Sequence, residues 1–124
     1  MGKQILIVDD AEAIRQTVSF YLTENGYDVL EARDGVDALN LLDGKAVDLI
    51  VSDVNMPTLD GIEFLKKVKN DDKYAKYKFT PFIMLTTESN DAKIQEGKKE
   101  GAKAWMVKPF KPELLLEAIK KLLT

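Results

Sequence analysis

The chain of 124 residues is 45% hydrophobic and 31% charged, and its formal net charge is −3. This composition is typical of one soluble globular domain, excludes a disordered or collagen-like chain, and argues against a general nucleic-acid-binding surface. The chain contains no cysteine and no histidine, which excludes disulfides, thiolate catalysis and any use of its own imidazole as base, metal ligand or phosphoryl carrier.

The first half of the chain alternates two apolar patterns. Short apolar runs predict strands, and apolar residues at helical spacing predict helices. In chain order the pattern predicts a strand at Ile5–Val8, a helix over Ile14–Leu22 that ends at Asn25-Gly26, a strand at Val29-Leu30, a helix over Val36–Leu42 and a strand at Leu49–Ser52.

The same alternation continues to the end of the chain. In order it predicts a helix over Ile62–Val68, a polar connection at Asn70–Thr80, a strand at Phe82–Leu85, a weak helix at Asp91–Glu100, a strand at Trp105–Val107 and a closing helix over Leu115–Leu122 with Pro112 in its first turn. Five such units predict an α/β fold with five helices, in which the helices cover both faces of a parallel sheet. We expect one domain over residues 1–124 and no output domain.

The apolar stretch before Asp9 is too short for a targeting or membrane segment. Ile5–Val8 runs directly into Asp9 and Asp10, whereas a signal peptide or a transmembrane helix needs a longer apolar core. We therefore expect a cytoplasmic protein without membrane or direct nucleic-acid contacts.

Charged residues follow three of the predicted strands. Asp9 and Asp10 follow the first strand, Asp53 follows the third, and Lys108 follows the fifth. Ligands bind at the carboxyl edge of such sheets, so these side chains are expected to converge there. Clustered carboxylates repel one another unless a cation intervenes, and oxygen donors without histidine or cysteine favour Mg²⁺ over zinc. Asp53 can attack phosphorus, with the Lys108 ammonium on a phosphoryl oxygen.

A helix cap is the simpler interpretation of a single aspartate after a strand. Asp10 is a candidate cap of the first helix and Asp60 of the third. Helix capping is a much poorer explanation of the joint arrangement. That arrangement consists of Asp9-Asp10, Asp53, a threonine after the fourth strand and Lys108 with Pro109 after the fifth.

Five groups of residues span nearly the whole chain: Val8-Asp9-Asp10, Ser52-Asp53-Val54-Asn55-Met56-Pro57 with Asp60-Gly61, Leu85-Thr86-Thr87-Glu88, Gly101-Ala102 and Val107-Lys108-Pro109-Phe110. In this order, they resemble the motifs of the receiver domain of two-component response regulators, and most closely those of the stand-alone regulators of chemotaxis.

The resemblance implies a flavodoxin-like doubly wound sheet of strand order 2-1-3-4-5. It also implies that Asp53 accepts a phosphoryl group from the phosphohistidine of a partner histidine kinase. Asp10, Asp53 and the backbone carbonyl of Asn55 would hold Mg²⁺, and Asp9 would orient metal-bound water.

The resemblance further implies a conformational switch. Lys108 contacts the phosphoryl group, the Lys108-Pro109 peptide bond is usually cis, and the Thr86 hydroxyl moves to a phosphoryl oxygen. Trp105 then fills the space that Thr86 leaves, and the surface of the fourth helix, fifth strand and fifth helix changes. In this family that surface meets kinase and flagellar-motor partners, and a phosphatase is a further expected partner. We expect a monomer, and phosphorylation-dependent dimerisation stays open.

Basic residues are concentrated around this surface, where an acidic partner segment would be attracted. The lysines concerned are Lys93, Lys98, Lys99, Lys103, Lys111, Lys120 and Lys121.

Three positions depart from well-known chemotaxis regulators. Val54 follows Asp53 where such regulators carry an aromatic residue, and Trp105 replaces the more frequent tyrosine. Thr87 replaces a smaller alanine beside Thr86. Asn55 and Glu88 do match the chemotaxis pattern, which favours relatively quick loss of the phosphoryl group.

Three alternative functions remain from the sequence. A phosphorelay intermediate would pass the phosphoryl group to a second histidine protein. An aspartate-based phosphohydrolase would normally carry an acid two residues beyond its nucleophile, where this chain has Asn55. A flavodoxin-like cofactor binder would need a phosphate-binding loop after the first strand, where Asp9-Asp10-Ala11-Glu12 would repel phosphate.

Overall fold

The computed structural model describes residues 2–87 and 91–124. Its strands are β1 (Gln4–Val8), β2 (Asp28–Ala32), β3 (Leu49–Asp53), β4 (Phe82–Thr86) and β5 (Ala104–Val107). Its α-helices are α1 (Glu12–Glu24), α2 (Gly35–Leu41), α3 (Gly61–Asn70), α4 (Asp91–Lys99) and α5 (Pro112–Leu123). The strands are parallel and lie in the order β2-β1-β3-β4-β5, which confirms the predicted sheet.

The sheet is buried on both faces, which explains why its central strands are apolar throughout. Successive side chains of a strand point to opposite faces. In β1, Ile5 and Ile7 therefore belong to a core with α1 and α5, whereas Leu6 and Val8 belong to a core with α2 and α3. These four side chains are fully buried. The two cores fix the positions of the strand ends.

The helix starts follow local sequence signals in part. Asp60 caps α3 as predicted: its side chain accepts a hydrogen bond from the N–H of Glu63, and the Glu63 side chain accepts one from the N–H of Asp60. The alternative in which Asp10 caps α1 is wrong. Ala11 occupies the cap position without a side-chain bond, and the carboxylate of Asp9 accepts the N–H of Ala11 at 2.9 Å.

The connection after α3 is more ordered than predicted. A 3₁₀ helix covers Asp72–Tyr77, so the described residues contain a sixth helix in addition to the five predicted ones. Tyr74 and Tyr77 are buried, and the hydroxyl of Tyr77 accepts the N–H of Gly44 and donates to the carbonyl of Lys45, both at 2.8 Å. These tertiary contacts fold a segment that the sequence analysis described only as a polar connection.

Among the helices of the described ranges, none combines the length and apolar character that crossing a bilayer requires.

Candidate functional site

The acidic residues lie where the strand order reverses. β1 is flanked by β2 on one side and β3 on the other, and ligands of doubly wound sheets bind at this point, beyond the carboxyl ends of the strands. Asp9 is 0% exposed, although it follows directly after β1, and Asp53, the last residue of β3, is 4% exposed. Buried carboxylates require partners, because burial disfavours an isolated charge.

The structure brings the three predicted aspartates together. One carboxylate oxygen from each of Asp9, Asp10 and Asp53 lies within 4.8 Å of the other two. Asp10 is exposed, whereas Asp9 and Asp53 are buried. The cluster therefore opens to solvent on the Asp10 side.

Lys108 reaches the same cluster from β5. Its Nζ lies 2.6 Å from Oδ2 of Asp9 and 3.5 Å from Oδ2 of Asp53. The Lys108 N–H donates to the carbonyl of Thr86 at 2.6 Å, and the Lys108-Pro109 peptide bond is cis. A single ammonium group thus serves two carboxylates, and one negative charge of that pair stays uncompensated.

The uncompensated charge affects Asp53. Burial, followed by the negative charge of Asp9, raises the pKa of Asp53 from 3.8 to about 6. Lys108 and the N–H of Asn55 act in the opposite direction without cancelling the rise. Above pH 6 the Asp53 carboxylate is therefore held in the folded protein at an energetic cost, which a bound cation would reduce.

The donor set fits a hard divalent cation. Three carboxylates at one solvent-open position are the ligands that Mg²⁺ prefers, and Mg²⁺ commonly keeps several waters when a protein holds it with few carboxylates. Asp9, Asp10 and Asp53 would hold the ion. The part of Asn55 in metal binding stays a prediction: its N–H lies 3.3 Å from Oδ1 of Asp53.

Asn55 and Thr86 form the side of the pocket next to β4. Nδ2 of Asn55 donates to Oγ1 of Thr86 at 3.4 Å, and Thr86 is the last residue of β4 and is buried. Asn55 thus lies between Thr86 and Asp53 and contacts both. The prediction made for Glu88 lies outside the described residues.

Trp105 lies apart from the acidic cluster. It pairs with Met84 in the register of β4 and β5, while Thr86 pairs with Val107. Because side chains of one strand face the same side at every second residue, Trp105 and Thr86 lie on the same face of the sheet. Trp105 is partly buried against the core that contains Met84. Its position is compatible with the predicted switch, which stays a prediction.

Two residues for which the sequence analysis predicted no part in the site, Arg15 and Gly61, also shape the pocket. Nη1 of Arg15 donates to the carbonyl of Asp9 at 2.7 Å, and Nε of Arg15 lies 3.5 Å from Glu31, so this side chain ties the loop after β1 to α1 and β2. A Cβ on Gly61 would overlap the carbonyl oxygen of Asp53, so only glycine allows α3 to start this close to β3. The Asp60-Gly61 pair was a signal for Gly61, whereas no local pattern indicated Arg15.

The fold and the pocket together define a flavodoxin-like α/β domain with an acidic cluster and a lysine at the point where its strand order reverses. The chain belongs to the response regulator receiver domain family, whose model matches residues 5–120.

Similar proteins include chemotaxis regulators. Chemotaxis protein CheY1 of Helicobacter pylori is 38% identical over 122 residues, which are 97% of this chain and 96% of that protein. The solved structure of the chemotaxis response regulator CheY4 of Vibrio cholerae is 47% identical, has a TM-score of 0.89, and the match covers 99% of this chain and 100% of that one. The fold is thus that of CheY-like receiver domains.

The same domain also occurs within longer regulators. The alkaline phosphatase synthesis transcriptional regulatory protein PhoP of Bacillus subtilis is 39% identical over 123 residues, which are 99% of this chain and 49% of PhoP. Membership of the receiver family is therefore shared by proteins whose names refer to chemotaxis and to transcription.

Proposed function

We propose that this chain is a phosphorylation-controlled signalling switch of the CheY type. Asp53 accepts a phosphoryl group from a partner histidine kinase in the cytoplasm, and the modified protein binds its next partner through the surface formed by α4, β5 and α5. Loss of the phosphoryl group to water resets the switch. The names of the similar proteins favour a role in chemotaxis.

One observation carries this proposal: the convergence of three carboxylates and one ammonium group from three strand ends. The oxygens of Asp9, Asp10 and Asp53 lie within 4.8 Å of one another, and Lys108 is paired with two of these residues. An acidic cluster that only stabilised the fold would not need a buried Asp53 whose pKa is raised to about 6. Groups held at such a cost are concentrated at functional sites.

The chemistry follows from the groups in the pocket. An oxygen of Asp53 attacks phosphorus, the P–N bond to the donor imidazole breaks, and its electron pair stays on the imidazole nitrogen. Bound Mg²⁺ supplies positive charge for the transferring oxygens. Lys108 exchanges its contact with Asp53 for one with a phosphoryl oxygen. Later attack of water on phosphorus releases inorganic phosphate and restores the carboxylate.

The donor protein must approach beside Lys108. An apolar groove of about 230 Å³ lies there between α1 and the loop after β5, and Ile14, Val18 and Phe110 are among its lining residues. We expect the kinase to contact this groove while it delivers the phosphoryl group. A flagellar motor switch protein and a phosphatase are the partners expected for the modified form.

The test is covalent labelling by a small phosphodonor such as acetyl phosphate. Intact-mass spectrometry should show one added phosphoryl group on the wild type in the presence of Mg²⁺, and much less after Mg²⁺ is chelated. Asp53→Asn should remain unlabelled. Asp43→Asn is the matched control, because Asp43 is an exposed aspartate paired with Lys45, and it should be labelled like the wild type. Labelling of Asp53→Asn at the wild-type level would contradict the proposal.

A further inference from the structure

The indole of Trp105 packs directly against the backbone of α4 at Gly97. Gly97 is buried, and a Cβ built on it would overlap Cζ3 of Trp105 and lie 3.2 and 3.3 Å from Cη2 and Cε3. Carbon atoms ordinarily approach to about 3.5–4.0 Å. All three indole atoms belong to the six-membered ring, so the outer part of the side chain occupies the space that a larger residue at position 97 would fill. We call this space the Gly97 notch.

A glycine at this position is costly for the helix. In a helix interior, glycine is less favourable than alanine because it loses more backbone conformational freedom on folding. In the Gly97 notch, this cost is offset by the close packing of the indole. The pairing of a small residue on α4 with a large one on β5 therefore determines how closely the helix and the strand approach.

The position of the indole in the notch also has a cost. Nε1 of Trp105 is buried and has no hydrogen-bond partner among the described residues. A buried donor without a partner is unfavourable, because it gives up its hydrogen bonds to water without a replacement. Packing in the notch therefore favours this position of the indole, whereas the unpaired N–H disfavours it. Because the two effects oppose each other, a modest change nearby can move the side chain.

Contacts in the pocket indicate which state of the switch the notch belongs to. The indole occupies the notch while Lys108 is paired with Asp9 and while Asn55 donates to Thr86. Under the proposed function, phosphorylation of Asp53 would draw both Lys108 and Thr86 toward the phosphoryl oxygens. The indole therefore occupies the notch in the resting state, before Asp53 is phosphorylated.

We propose that Gly97 is a positioning residue that holds Trp105 in the resting position, so that the size of the side chain at 97 sets the balance between the resting and the active state. This inference rests on the proposed function and adds to it the residue that controls the switch. A larger side chain at position 97 displaces the indole and lowers the cost of activation. By linkage, the affinity for a phosphoryl mimic then rises.

The first test is a titration with beryllofluoride and Mg²⁺, in which emission from Trp105, the sole tryptophan, is followed. Without the mimic, Gly97→Ala should show emission shifted toward that of the mimic-bound wild type. Its half-saturating beryllofluoride concentration should be at least about fivefold lower than that of the wild type. Gln95→Ala is the control, because Gln95 is exposed on the same helix and alanine there raises helix propensity without filling the notch. A Gly97→Ala protein that titrates like the wild type overturns the inference.

The second test combines Gly97→Ala with Trp105→Phe, which removes Cζ3 and Cη2, the two indole atoms nearest to a Cβ at position 97. Phosphorylation by acetyl phosphate, followed by mass spectrometry, reports on all four proteins of the cycle. Gly97→Ala should increase the phosphorylated fraction in the wild-type background and have no effect in the Trp105→Phe background. Equal effects in both backgrounds would mean that alanine only stabilises α4, which overturns the inference.

The outcomes separate the two proposals. A wild-type protein that binds no beryllofluoride and accepts no phosphoryl group contradicts the proposed function and the inference together. A wild type that responds while Gly97→Ala behaves identically contradicts the inference alone. If Gly97→Ala does not fold, the double variant should fold because the overlap is relieved, and unfolding of both variants would contradict the notch as described.

Discussion

Replacing Asp53 by asparagine should stabilise the protein. The pKa of this buried carboxyl is raised from 3.8 to about 6 on folding, and one pKa unit corresponds to about 1.36 kcal/mol. Ionised Asp53 therefore lowers the free energy of unfolding by up to about 3 kcal/mol above pH 6. Asparagine removes this charge at nearly the same volume, so we expect Asp53→Asn to be more stable by about 1–3 kcal/mol at pH 8 without Mg²⁺.

The gain should depend on pH in a defined direction. A carboxyl group whose pKa is raised in the folded state destabilises the protein fully above the folded value, and this effect decreases as the pH falls toward the unfolded value. For values of about 6 and 3.8, the difference between Asp53→Asn and the wild type should fall to roughly half between pH 8 and pH 5. Saturating Mg²⁺ should stabilise the wild type more than the variant and so reduce the difference.

Urea unfolding followed by circular dichroism measures these free energies by linear extrapolation. Asp43→Asn is the control, because the Asp43 side chain is 58% exposed, and this variant should unfold at the same urea concentration as the wild type. The reasoning is refuted if Asp53→Asn is no more stable than the wild type at pH 8 in the absence of Mg²⁺. It is equally refuted if the difference grows between pH 8 and pH 5.

Three further substitutions test separate parts of the account. Asp10→Asn removes one of the three clustered carboxylates, so the affinity for Mg²⁺ in isothermal titration calorimetry should fall at least about tenfold, and an unchanged affinity would exclude Asp10 as a ligand. Lys108→Met removes the ammonium group beside Asp53, so labelling by acetyl phosphate should slow at least about tenfold in a mass-spectrometric time course, and wild-type kinetics would contradict its role. Tyr77→Phe leaves the N–H of Gly44 and the carbonyl of Lys45 without their 2.8 Å partner, so the free energy of unfolding in urea should fall by about 1–3 kcal/mol. The rate of labelling by acetyl phosphate should stay that of the wild type, and an unchanged stability would show that these bonds contribute nothing.

The sheet could be predicted from the sequence because its strands carry their own signal. Apolar runs such as Ile5–Val8 and Leu49–Ser52 are buried on both faces, and this double burial is what continuous apolar runs indicate. The 3₁₀ helix could not be predicted in the same way. It depends on Tyr77, whose partners Gly44 and Lys45 lie more than 30 residues away in the chain.

The convergence of the acidic residues was predictable for a topological reason. Parallel strands end at one edge of the sheet, so residues that follow them meet even when they are far apart in the chain. Asp9 and Lys108 are 99 residues apart and form a 2.6 Å contact. The contacts of Arg15 and Gly97 were not predictable, because each depends on how a helix packs against a neighbouring strand. The sequence shows a glycine inside the predicted fourth helix, but it does not show that Trp105 packs against it.

The central claim is that this acidic cluster makes Asp53, and no other carboxylate, the phosphoryl acceptor. Reduction of the acetyl-phosphate-treated protein with borohydride converts an aspartyl phosphate to homoserine, and peptide mass spectrometry then identifies the modified position. The account predicts homoserine at position 53 in the Mg²⁺-containing sample and unmodified aspartate at positions 9, 10 and 60. Homoserine at one of those other positions, or none at position 53, would contradict it.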